Sequence, residues 1–162
     1  MTPLGAIEAS SLGVAMRQWL WLYPSVEIVH ITGIGLLFGS IAVLDLRLLG
    51  FSRTLSVKEL ARHVLPWTAA SFVLIVPSGL MMFTAHASEL IQSGVFVLKM
   101  GLILAAGLNA ALFHAITFRT ADVWDSEEMR KLPPPPSARL AGALSLLLWV
   151  SVIACGRLLA YF

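Results

Sequence analysis

Four histidines, His30, His63, His86 and His114, carry most of the chemistry open to this chain of 162 residues. An imidazole can hold a proton, ligate a metal ion or take an axial position on haem iron. His30 and His114 lie about a turn or more inside long apolar runs, where an ionisable group is costly and as a rule functional. His63 and His86 lie at the ends of such runs, where a histidine can also rest at a membrane interface and ligate nothing. Lys99 and Arg157 are two further cations set in apolar sequence, and Glu27 precedes His30 by nearly one turn. Each cation can neutralise an anion such as a haem propionate, or reach the headgroups on its own long side chain.

The elements that must position these groups are membrane helices. At 58% hydrophobic residues, 12% charged residues and a mean hydropathy of +0.86, the chain cannot cover a water-soluble globule with polar surface. Charge-poor windows of about 20 residues recur at Pro24 to Leu44, Val64 to Ala85, Gly94 to Phe118 and Ala138 to Phe162, each long enough to cross a hydrocarbon core about 30 Å thick. The expectation is an all-α integral membrane four-helix bundle, one domain over residues 1–162, with spans at about 24–48, 60–86, 94–119 and 138–161. The opening MTPLGAIEASSLGVAMRQWLWLYP lacks a basic segment before a clean apolar core, so it does not read as a cleaved signal peptide. It reads as an amphipathic interfacial helix over residues 4–22, ending in Trp19, Trp21 and Tyr23, with Pro24 turning the chain inward. LPPPPSAR is a stiff polyproline segment, with Ser137 as the expected N-cap of the last span. The acidic loop before it, containing Asp122, Asp125, Glu127 and Glu128, reads as a linker.

Arg47, Arg53, Lys58, Arg62, Arg119, Arg130, Lys131 and Arg139 flank the connections at one end of the bundle, whereas the link HASELIQSG at the other end has no Lys or Arg. By the positive-inside rule both termini and that link face the periplasm of a bacterial inner (plasma) membrane. The net charge of +2 is then a matter of topology, and no nucleic-acid partner is expected.

This topology sorts the histidines into an outer pair, His30 with His86, and an inner pair, His63 with His114. Each pair comes from two different helices. Haem b in a helical bundle takes an imidazole on each face and needs small residues beside the ring. Gly33 lies one turn on from His30, Gly79 lies two turns before His86, and Gly107, Ala110 and Ala111 line the His114 face. Lys99 and Arg157 share the depth of His30. The primary haem site is therefore expected at His30 and His86, completed by Gly33, Lys99 and Arg157, with His63 and His114 as a second site. At helical rise His63 and His86 are about 34 Å apart, which favours one haem over two.

Elsewhere, Asn109 is expected to hydrogen-bond between helices, and Gly35 and Gly39 form a GxxxG step that permits close helix approach. Asp45 and Arg47 are expected to form a charge network with Arg53 or Arg62. Cys155, alone in the chain, excludes an intrachain disulfide and reads as packing.

The segments HITGIGLLFGSIAVLDLRLLG, ARHVLPWTAASFVLIVPSGLMMF and FVLKMGLILAAGLNAALFH, about two thirds of the chain, resemble an uncharacterised family of small bacterial four-span membrane proteins. That family is distantly similar to the copper-resistance CopD membrane domain and to HemJ-type protoporphyrinogen oxidases. The resemblance implies a b-type haem or copper held by helix histidines, with His30 matching the haem-ligand histidine of the first helix and Lys99 a functional lysine before the third-helix apolar run.

Three functions follow as expectations. One is a haem-b electron-transfer protein, exchanging electrons between membrane quinone and a partner protein. Another is a copper-handling protein using the histidines with Met81, Met82 and Met100. A third is a structural subunit of a larger complex or a homo-oligomer. The chain carries no HExxH, no paired carboxylates within a membrane helix turn and no Gly-rich phosphate loop, so a stand-alone enzyme is the weakest expectation. With no CxxCH, any haem is non-covalent.

Overall fold

The computed structural model describes residues 2–161 and is built from helices, with no strand among the described residues. Met1 and Phe162, the two ends of the expected domain, lie outside them. Four helices are long and apolar enough to cross a membrane: α3 (Leu22–Leu49), α4 (Val57–Ala85), α6 (Gly94–Leu112) and α8 (Pro136–Leu158). α6 continues without a break into a π turn at Phe113–Thr117 and a 3₁₀ turn at Phe118–Thr120. The protein is thus a multi-pass, all-α four-helix membrane bundle.

Most sequence boundaries lie within a few residues of those observed, and the differences have local causes. The expected interfacial helix is two, α1 (Pro3–Glu8) and α2 (Ser11–Gln18), because the Thr2 and Ser10 hydroxyls each accept from a backbone N–H and start a new helix. Pro24 does not turn the chain: it sits in the first turn of α3, where its missing N–H has no helical partner to lose. The last span is capped not by Ser137 but from Pro135, with Pro136 at the first helical position and no side-chain cap. The link HASELIQSG contains α5 (Ala87–Gln92), and the acidic loop contains α7 (Ala121–Trp124). Gly50 ends α3 with φ of 104°, the left-handed conformation that favours glycine.

α4 packs on α3, α3 on α8 and α8 on α6, whereas α4 and α6 barely touch. These two are bridged at the end away from the basic loops, where Phe83 and Phe96 stack at 6.0 Å. At the other end the bundle closes over Leu44, Leu48, Val57, Ala61, Phe113 and Ala138. Asn109 of α6 donates to the Ala141 carbonyl of α8 at 3.0 Å, the interhelical role its position suggests.

The loop end is tied by a buried ion pair. Asp125 is no linker residue: its carboxylate accepts from Arg47 Nη2 at 2.9 Å, Ser56 Oγ at 2.9 Å and the Val57 N–H at 2.7 Å. Arg47 also donates to the Leu55 carbonyl at 2.6 Å. Arg47 therefore does engage the Arg53 segment, through a backbone carbonyl at 3.5 Å, but its anion is Asp125 and not Asp45. Positions two apart on a helix point to nearly opposite sides, so Asp45 and Arg47 cannot serve one cluster.

Candidate functional site

His30 is the histidine the fold places inside the bundle. Eight residues along α3, it sits about 12 Å from the N-terminal end of that helix at 1.5 Å rise per residue and is half-buried. Its ring lies on α4: the position a Cβ on Gly79 would take is 3.1 Å from His30 Cε1. His30 Nδ1 is 2.9 Å from Ser78 Oγ and 3.2 Å from the Ile75 carbonyl. The Ser78 hydroxyl donates to the Leu74 carbonyl one turn back, so its oxygen is left to accept. That arrangement puts the proton on Nδ1 and leaves the Nε2 lone pair free. A histidine held by Nδ1–H in this way is in the tautomer that ligates through Nε2.

Lys99 joins the same level from α6. Its ammonium lies against the α8 backbone, 3.5 Å from the position of a Cβ on Gly156, and acts electrostatically on His30. Cys155, buried on α8, adjoins it. The half of the bundle away from the basic loops thus gathers His30, Ser78, Lys99 and Cys155, one from each span. Ser78 is the member the sequence reading lacks, and its signal is the PSG step, where a hydroxyl follows Pro77 within α4.

The other expected site residues lie elsewhere. Arg157 is exposed and turned along its own helix, donating to Tyr161 Oη at 2.8 Å with its guanidinium over that ring. His86 caps the end of α4, pairs with Glu89 at 3.3 Å and meets Tyr23 edge-on. Eight residues separate His86 from Ser78, about 12 Å at helical rise, so the outer imidazoles are not side by side. His63 and His114 each turn Nδ1 to the carbonyl one turn back, Glu59 and Ala110, both at 2.8 Å. His63 is exposed on α4; His114 stands in the π turn between Phe113 and Phe118.

Gly33 serves packing: a Cβ there would meet Ile75 Cγ1 at 2.7 Å and Leu74 Cβ at 3.0 Å, so the glycine lets α3 and α4 approach. A macrocycle has no room between those two helices. Gly107, where a Cβ would meet nothing within 4 Å, is exposed on α6 about 12 Å along the helix from Lys99, so its open side is not beside His30. Among the described residues no three His, Cys, Asp or Glu side chains converge on one point. The site therefore offers one preset imidazole and a nearby cation, a set that fits a group bringing most of its own ligands, as haem does, better than a bare metal ion.

No curated protein and no solved structure matches the chain, so the likeness to CopD and HemJ-type proteins finds no support in these comparisons. The model of a family of unknown function, DUF6644, matches residues 5–162, nearly the whole length, and the protein belongs to that family.

Proposed function

We propose that the protein binds haem b non-covalently and transfers electrons within the membrane, with His30 as the axial ligand. The observation that carries this reading is the His30–Ser78 bond, which fixes the proton on Nδ1 and leaves Nε2 free inside the bundle. Bound there, the haem supplies a one-electron iron couple. The chain's own residues do the rest: Ser78 and the Ile75 carbonyl hold the ring of His30, Lys99 offers a positive charge for a propionate, and Phe83 with Phe96 covers the outer end. The apolar surround keeps water from the iron. Quinone in the bilayer and a membrane-facing redox protein are the partners that suit such a site.

The test is an optical spectrum of protein purified from haem-replete cells. A haem b spectrum is expected, lost in His30→Ala and kept in His63→Ala and His114→Ala. A colourless, folded wild-type preparation overturns the proposal.

We further propose that the basic loop end lies in the cytoplasm of a bacterial cell and both termini in the periplasm. Eight Lys and Arg residues at the loop end support this orientation. In a background lacking Cys155, a cysteine placed at Gln92 should react with an impermeant thiol reagent in intact cells while one at Ser126 should not; the reverse labelling inverts the assignment.

A further inference from the structure

Asp45 is a carboxyl group inside a membrane-spanning helix with no cation beside it among the described residues. It is 5% exposed and stands four residues before the end of α3, about 6 Å from that end at helical rise. Oδ2 is sealed from solvent and has no hydrogen-bond partner among the described residues. Arg47, the nearest cation in sequence, points the other way and is committed to Asp125. On the α8 side Ser145 is the polar side chain that acts on Asp45, and no charged group of the packed helices does. The α8 backbone comes close at this level: a Cβ on Gly142 would lie 3.0 Å from the Asp45 carbonyl oxygen. Asn109 of α6 is engaged nearby with the Ala141 carbonyl.

A carboxylate with no cation beside it and Ser145 as its polar neighbour is costly to bury in hydrocarbon. The neutral acid removes the charge and turns one oxygen into a donor. The end of α3, where the chain leaves the span, lies about one turn away.

We propose that Asp45 is a proton-binding site within the membrane, holding its carboxyl in the acid form between α3 and α8 and exchanging its proton with water at the loop end of the bundle. On release the O–H bond breaks, the proton passes to water, and the carboxylate left behind has only Ser145 to meet it. Release is thereby coupled to a loosening of the α3–α8 contact at Gly142. The proposal is independent of the haem.

Infrared spectroscopy of the purified protein tests this directly. The wild type should show a carboxylic C=O band at neutral pH that shifts in D₂O, and Asp45→Asn, matching the neutral acid in shape and charge, should fold and lack it. An acid region identical in wild type and Asp45→Asn, with the difference in the carboxylate bands, overturns the proposal. Should Asp45→Asn not fold, Asp45→Glu decides: the acid band must move, and an unmoved band overturns the proposal equally.

Discussion

His30 Nδ1 lies 2.9 Å from Ser78 Oγ, and this bond ties the first span to the second at the level where Lys99 enters from the third. The serine has no proton left for the ring, because its hydroxyl already points to the Leu74 carbonyl. The His30 ring is thus oriented through Nδ1, on the side away from Nε2.

The first prediction concerns that orientation. Ser78→Ala leaves Nδ1 with only the 3.2 Å contact to the Ile75 carbonyl, so the ring can rotate or change tautomer. Loss of such a supporting partner lowers affinity by about 10- to 100-fold. Haem titration of the purified variant should show that loss with the fold intact by circular dichroism. Affinity equal to wild type would assign the bond to helix packing alone.

A second prediction separates two glycines of one helix. A Cβ on Gly33 would meet Ile75 Cγ1 at 2.7 Å and Leu74 Cβ at 3.0 Å, whereas one on Gly35 would meet nothing within 4 Å. Gly33→Ala must push α3 away from α4 and should cost about 1–3 kcal/mol, the range for overpacking. Gly35→Ala adds a methyl to open space and should cost almost nothing. Unfolding in mixed micelles measures both, and equal losses would contradict the packing described here.

The third prediction contrasts two ion pairs at the loop end. Arg47 and Asp125 are each 3% exposed, whereas Lys58 and Asp122 are 40% and 76% exposed. Asp125→Ala strands a buried guanidinium and should cost about 3–5 kcal/mol, against at most about 1 kcal/mol for Asp122→Ala. The same unfolding assay, repeated at high salt, should change the Asp122 effect more than the Asp125 effect.

How much of this was legible in the sequence depends on what each feature depends on. The four spans follow from hydropathy and length, which are local, so they are found to within a few residues. The histidine pairs rest on depth alone, and depth ignores azimuth: each residue turns the side chain by about 100° around the helix, so equal depth does not bring two rings together. Arg157 illustrates this, sharing the depth of Lys99 while turning to Tyr161. Asp125 was hidden for another reason. Its partner Arg47 is 78 residues away, and an acidic loop has the same composition whether it is solvated or folded inward.

The last prediction is a pH dependence outside the membrane spans, where α1 and α2 dock on the end of the bundle away from the basic loops. Glu8 Oε1 accepts from the Ser88 N–H at 2.7 Å, and Arg17 bridges the Glu8 and Ala85 carbonyls at 2.6 and 2.9 Å. The Ser88 backbone bond is the main influence holding the Glu8 carboxyl below its ordinary value of 4.5; burial opposes it, and the Ser88 side chain, Arg17 and His86 add to it. A depressed folded value means that the undocked state binds the proton more tightly. The contribution of Glu8 to docking is therefore complete above the ordinary glutamate value and is lost as pH falls through the lower, docked value. Hydrogen exchange at the Ser88 amide should be slow at neutral pH and should speed up, beyond the intrinsic pH effect, only under that acidic condition. Glu8→Gln should exchange at Ser88 faster than wild type at neutral pH and show no further acid-dependent step. If the variant kept the acid step, the titrating group would be another one, and the Glu8–Ser88 contact would have no part in holding the N-terminal helices down.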